Sequence, residues 1–242
     1  MSTEQSQDAR LGTPVPNWAP PPTPPASALE GRYVRLEPLS ADHAEPLFEA
    51  YRVDDSTWDY LPYGPFADPD ALRAWVDGMV GLADPMFFAM RDRATGEVGG
   101  VASYLRVTPN AGTIEVGHIH IARGMQRSVA ATEAMFLMMD RAFSAGYRRY
   151  EWKCNALNRA SRRAAQRLGF SFEGVFRQAA VIKGRNRDTA WFAITDGDWP
   201  PLREAFRAWL APDNFERTGV QRRSLSTLTG PHLHARDPML GP

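Results

Sequence analysis

Residues 122–143, ARGMQRSVAATEAMFLMMDRAF, decide how the rest of the chain must be arranged. They follow Ile114–Ile121, IEVGHIHI, an apolar run of the length and flanks of a buried strand. Over about 130–145 the apolar residues recur at helical spacing, and between strand and helix lies a short loop. Strand, short loop and helix is the arrangement by which a backbone presents free N–H groups to phosphate. A helix that crosses from one strand to the next also joins parallel neighbours. A parallel strand pair, with an anion-binding loop at its end, is therefore expected here.

Working outward, GRYVRLEPL (31–39) alternates as a strand, and Ser40 can cap a helix over ADHAEPLFEAYR (41–52). The aromatic stretch TWDYLPYGPF (57–66) reads as a long loop, and ALRAWVDGMVGLA (71–83) as a helix. MFFAMRDRATGEVGGVASYLRV (86–107) gives two strands about a turn, with TIEVGHIHI (113–121) as the next. Beyond the central helix, YRRYEWKC (147–154) is a strand and NRASRRAAQRLGF (158–170) a helix closed by Gly169. Two further strands surround GRNR (184–187), and PLREAFRAWLA (201–211) is a last helix. Strands in a meander followed by strand–helix–strand units make a mixed α/β sheet. The proline-dense segment 1–28 is expected as an extended arm, 29–212 as the folded domain and 213–242 as an irregular tail.

The bulk properties narrow the function. With 28 basic and 28 acidic residues the formal charge is zero, which gives nucleic acid or an anionic membrane surface no general attraction. A single cysteine, Cys154, excludes an intrachain disulfide and any multi-cysteine metal site. No apolar run approaches the ~20 residues that cross a bilayer, and MSTEQSQDAR (1–10) lacks the features of a secretory signal. A cytoplasmic protein without a bound metal is expected.

Four fragments in order carry a resemblance: GRYVRLEPL, IEVGHIHI running into QRSVAATEA, NALNRASRRAAQRLGF, and GFSFEGVFRQ with KGRNRDTAWFAITD. Across about residues 31–198 the chain resembles the GNAT acyltransferases, and more narrowly their RimJ/RimL-like branch. The resemblance implies the GNAT fold: an α/β, mostly antiparallel central sheet with one parallel pair at the acyl-CoA cleft, flanked by helices. It implies acetyl-CoA as acyl donor and an amine, on a small molecule or a protein N-terminus, as acceptor. A homodimer is compatible with it. The family's loop pattern, Gln/Arg-x-x-Gly-x-Gly/Ala, lies over Gln126, Arg127, Ser128, Val129, Ala130 and Ala131, with Val129 where the middle glycine belongs. Amides are supplied by every residue but proline, and a β-branched valine avoids positive φ. A negative-φ turn is thus expected, Val129 facing away from the phosphates, with Ser128 and Thr132 offering hydroxyls. Arg127 is either a phosphate ligand or a surface arginine. Asn158 matches the asparagine that bonds the pantetheine arm, and Ser161 is the hydroxyl nearest the departing thiolate, since Ala165 replaces the usual tyrosine. Alternatively, Ser161 bonds its own helix.

An amine must be neutral to attack a thioester, and the backbone near Ile119 and Ile121 is placed to polarise the carbonyl. Glu115 matches a glutamate of this strand in related enzymes and is expected either as the general base or as a carboxylate held by a neighbouring cation. Simple alternation puts His118 and His120 on the opposite face of the strand from Glu115. Both are interior histidines or, with His120 first, proton carriers. Trp58, Tyr60 and Tyr63 either grip the acceptor or pack the loop, while Asp188 either meets a cationic amine or braces a hairpin. The loss of Val129's glycine and of the tyrosine also admits a GNAT-fold binding protein without catalysis.

Overall fold

The computed structural model describes residues 11–241. The reading of 1–10 as free of a signal, and the first part of the expected arm, lie outside the described residues. Eight strands form one sheet in the order β1-β2-β3-β4-β5-β6-β8-β7. They are β1 (Leu29–Glu30), β2 (Val34–Pro38), β3 (Met86–Asp92), β4 (Val98–Thr108), β5 (Thr113–Ile121), β6 (Arg149–Asn155), β7 (Ser171–Ile182) and β8 (Arg185–Thr195). Every pairing is antiparallel except β5–β6, which is parallel. The helix between those two strands, α3, makes the crossover that parallel pairing demands.

The helices are α1 (Ala44–Tyr51), α2 (Pro69–Met79), α3 (Val129–Ser144), α4 (Arg159–Arg167), α5 (Trp199–Leu210) and α6 (Leu225–Thr229). Their starts are written in the sequence. Asp68 accepts from the Ala71 amide ahead of Pro69, Ser128 from Ala131 and Asn158 from Ser161. Such side-chain acceptors satisfy amides that a helix leaves unpaired. One core lies between the sheet and α3 and α5, built from residues such as Phe88, Tyr104, Ile114, Met138 and Phe206. A second lies on the opposite face, where Leu47, Tyr51, Trp58, Leu72 and Val76 cover Phe87, Ala89 and Val101.

A buried carboxylate joins α3 to the sheet edge. Glu133 accepts from the backbone amides of Arg32, Tyr33 and Val34 at 2.9, 2.6 and 2.9 Å. Gly31 has to be glycine beside it, because a Cβ there would lie 2.3 Å from Glu133 Oε2.

Two features depart from the sequence reading. The β7–β8 turn falls on Lys183 and Gly184, both at positive φ (48° and 72°), ahead of most of the GRNR segment. More consequential is β5, whose alternation is broken. Ser103 of β4 pairs with Gly117 and Val101 with His120, so three steps on β5 oppose two on β4. His118 takes up the extra residue with φ 50°, a β-bulge. A bulge shifts the side-chain parity, so His118 and His120 point to the same face as Glu115 and not the opposite one.

The ends of the described chain are packed. Arg141 donates to the carbonyls of Pro25, Ser27 and Ala28, and the Arg148 guanidinium lies 5.5 Å from the centre of the Trp18 ring. After α5, the Asp237 carboxylate meets Arg162 of α4 at 2.6 and 2.5 Å, with both side chains buried.

Candidate active site

β5 and β6 pair only from Thr113–Arg149 to Val116–Trp152, although both strands continue beyond that point. They part there, and the edge of β5 from Gly117 to Ile121 is left without a strand on that side. Ile119 and Ile121 send their side chains toward the first core, which leaves their backbone as the part that faces the gap.

At the far end of β5 the loop into α3 has spent some of its amides. Gln126 and Ser128 donate to Ala122 O and Met125 O, and Ala131 donates to Ser128 Oγ at 3.0 Å. Among the described residues the amides of Arg127, Val129 and Ala130 donate to no protein group. A cluster of unpaired amides at a helix start suits an anion. Gln126 braces the loop, its side chain donating to Ile121 O at 2.9 Å.

Val129 is the first residue of α3 and packs against the core. The positive φ, 62°, belongs to exposed Arg127 instead. Ala130 and Ala131 are buried beneath the loop. Thr132 departs from the expectation of a phosphate-facing hydroxyl. It is buried, donates to Ser128 O and accepts from Arg167 at 3.2 Å.

On the other wall, Asn158 Oδ1 caps α4 through the Ser161 amide at 2.9 Å, leaving its Nδ2 without a protein partner among the described residues. Ser161 Oγ accepts from Trp152 Nε1 at 3.0 Å. Trp152 is the last residue of the parallel pairing, so this bond ties α4 to the strand at that point. Among the described residues Ser161 Oγ meets no carbonyl of its own helix, and it lies against the Cys154 thiol.

The expected base is tied up. Glu115 is 3 % exposed. It accepts from Arg106 Nε at 2.7 Å and NH2 at 3.3 Å, and from Lys153 Nζ at 2.8 Å. Lys153 also meets Glu151 at 3.1 Å and lies 3.5 Å from the centre of the Trp191 ring. Glu151 in turn accepts from Arg149, which pairs with Glu173. Burial raises the Glu151 pKa, but Arg149 and Lys153 outweigh it and hold the carboxyl below its ordinary value. This alternating row of charges matches the held-carboxylate reading of Glu115 and argues against its acting as a free base.

His120 is enclosed between Tyr51 and Trp58, each with ring centres 3.8 Å away, and its Nε2 lies 2.8 Å from Thr57 Oγ1. Burial drives its pKa down to about 3, so the ring is neutral and walled off. That geometry argues against the proton-carrying role expected for it. His118 stands at the parting of the strands with Nδ1 3.1 Å from Tyr63 OH, and its Nε2 has no protein partner among the described residues. Burial, opposed by Glu115 and reinforced by Arg106 and Arg187, lowers its pKa.

Among the loop aromatics, Trp58 is buried in the second core beneath Gly64, in keeping with the loop-packing reading. Tyr63 faces His118, and exposed Tyr60 reaches Leu157 O across the cleft at 3.4 Å. Asp188 accepts from Gln178 N and Asn186 Nδ2, bracing the hairpin. Lys153 and Arg187 were missed by the sequence reading. The signal for Lys153 was its alternation with Glu151 in a strand between Trp152 and Cys154. For Arg187 it was a shared face with Thr189 and Trp191. Among the described residues no group of three His, Cys, Asp or Glu could hold a metal, and no helix is long and apolar enough to cross a membrane.

Residues 34–171 match the family described as the acetyltransferase (GNAT) domain. The chain belongs to the GNAT acetyltransferases. A GCN5-related N-acetyltransferase from Brucella melitensis is 46 % identical, with a TM-score of 0.87 over 89 % of this chain and all of that one. A probable GNAT acetyltransferase from Chromobacterium violaceum is 41 % identical, with a TM-score of 0.73 over 78 % of this chain and 96 % of that one. RimL, a ribosomal L7/L12 alpha-N-protein acetyltransferase, shares the fold at 20 % identity and a TM-score of 0.61, covering 69 % of this chain and 93 % of that one. No curated protein matches the sequence. As a GNAT enzyme the protein takes its acetyl group from acetyl-CoA. The unspent amides at α3 and the open edge of β5 fit that donor.

Proposed function

We propose that this GNAT enzyme transfers acetyl directly to a primary amine, on a small molecule or a protein N-terminus, within a ternary complex. The observation that carries this reading is the parting of β5 and β6 after Val116–Trp152. Free amides lie at one end of that gap, and a neutral imidazole with an open nitrogen stands in it.

Acetyl-CoA supplies the acetyl group as a thioester. The amides of Arg127, Val129 and Ala130 hold a diphosphate, and Arg127 offers its charge from the loop. Asn158 Nδ2 and the bare edge of β5 align the pantetheine arm, and a β5 amide near Ile119–Ile121 polarises the carbonyl. Ser161, held by Trp152, offers a hydrogen bond to the departing thiolate, which takes its proton from solvent. His118 Nε2 receives the amine proton and later releases it to solvent. Burial keeps that ring uncharged at neutral pH, which makes it able to accept. An α-amine of pKa about 7.7–8.0 needs little help, so positioning contributes more than basicity.

The test pairs calorimetry with thiol release over a panel of amines. Micromolar binding of CoA and release with at least one amine are expected. His118→Gln should lower kcat by about 10²-fold at unchanged CoA affinity. No CoA binding at millimolar concentration would remove the donor site. Unchanged kcat in His118→Gln would remove the imidazole from proton transfer.

A further inference from the structure

Among the described residues, Arg187 is a cation in no ion pair. It lies on β8 opposite Ala180 of β7. The β6–β8 pairing ends at Asn155–Thr189, so Arg187 stands just past the tip of β6. β8 runs without a break there, and Arg187, Thr189 and Trp191 share one face. Lys153, stacked on Trp191, marks that face as the one carrying Glu115. The position of Arg187 past the end of β6 is at the mouth of the gap, and its charge acts to lower the pKa values of both His118 and Cys154.

Its surroundings hold no partner. Arg187 Nε is buried without a hydrogen bond, and no ion pair includes Arg187 among the described residues. The nearby carboxylates are committed elsewhere. Glu115 serves Arg106 and Lys153, Glu151 serves Lys153 and Arg149, and Asp188 serves Gln178 and Asn186. Trp191 Nε1, on the same face, is a second buried donor without an acceptor. Lys183, from the hairpin tip, adds positive charge above the loop, where it donates to Trp58 O at 2.9 Å. A buried donor with no partner is costly unless a ligand supplies one, and a guanidinium fork matches the two oxygens of a carboxylate or phosphate.

We infer that the acceptor carries an oxyanion a short distance from its amine, and that Arg187 binds this group and so turns the amine toward His118. The inference rests on the acetyl-transfer reading above and narrows its substrate class. Amines bearing a carboxylate or phosphate are preferred over neutral alkylamines and over polyamines. The second positive charge of a polyamine would meet Arg187 with no anion between them.

The experiment compares matched acceptors by initial-rate thiol release. The pairs are phenylalanine against phenylalanine amide, an aminoalkylphosphonate against the corresponding alkylamine, and a peptide beginning Ser-Asp against one beginning Ser-Asn. These arms separate a free carboxylate, a phosphate-like group and an acidic peptide side chain as the source of the oxyanion. In at least one pair the anionic member should show about tenfold or greater kcat/KM. Arg187→Gln should bring that ratio to about one, and Arg187→Lys should retain part of it. The same compounds titrated by calorimetry, with and without CoA, give the corresponding affinity ratios even where no thiol is released. Retained CoA affinity shows that each variant folds. Ratios near one in the unaltered enzyme, or a preference that survives Arg187→Gln, overturn the inference while leaving acetyl transfer standing. Failure to bind CoA overturns the transfer reading alone, because anion binding is measured separately.

Discussion

At Glu115 the carboxylate accepts from Arg106 and Lys153 together, and Lys153 is itself only 4 % exposed. Removing the charge leaves a buried ammonium with Glu151 as its remaining anion. Breaking a buried pair typically costs about 3–5 kcal/mol, and the exposure of Arg106 places this site at the low end. Glu115→Gln should therefore lower unfolding free energy by roughly 3 kcal/mol in urea titrations. The acid limb of the kcat/KM pH profile should move only to lower pH, because Glu115 no longer raises the His118 pKa; loss of that limb would return Glu115 to proton transfer. His120 gives a second signature. Its folded pKa of about 3 lies below the ordinary 6.5, so between those values the unfolded chain binds more protons. Stability is complete above pH 6.5 and declines as the pH falls toward 3. At pH 5 the loss is about 2 kcal/mol relative to pH 7. His118 adds to it in the same direction. His120→Phe should shrink the difference between urea midpoints at pH 7 and pH 5, and an unchanged difference would contradict the buried, neutral ring. The sequence named these residues but not their partners. Glu115 and Lys153 come from different strands, and nothing local pairs them.

The loop into α3 was legible in kind and mistaken in detail. Strand, loop and helix followed from periodicity, while Ser128, expected to offer its hydroxyl to phosphate, caps α3 through the Ala131 amide. The site of positive φ did not, because a left-handed residue that is not glycine leaves no mark in composition. Arg127 carries that conformation, at a cost of about 1–2 kcal/mol for an L-residue. Arg127→Gly should hold or raise the melting temperature. Val129→Gly should lower it, since Val129 occupies the first helical turn and packs on the core. Neither backbone change calls for tighter CoA binding at position 129, where the family's glycine would stand. A lower Kd for CoA in Val129→Gly would show that the valine obstructs the phosphates. The bulge in β5 escaped for a similar reason. Alternation presupposes a regular pleat, and the residue that interrupts it is His118.

Across the whole molecule, the fold class, the parallel pair and the crossover helix were readable from the order of strands and helices. The packing of residues 213–241 was not, because its anchors, Phe215 and Leu225 on the first core and Asp237 on α4, are single residues far apart in sequence. Arg162 joins the Asp237 carboxylate and the Ala156 carbonyl at 2.7 Å. The turn that presents Asn158 and the helix that carries Ser161 are thereby clamped from outside the catalytic domain as read from sequence. Asp237→Asn should destabilise the protein by about 3–5 kcal/mol and raise the KM for acetyl-CoA. A change in stability with no change in KM would separate the clamp from the donor site.

During synthesis, Arg162 emerges from the ribosome 75 residues before the aspartate that secures it. A nascent or prematurely terminated polypeptide that has already made every catalytic side chain would still lack a fixed donor wall. Acetylating capacity should therefore arise late in biogenesis, once the chain has been made as far as Asp237.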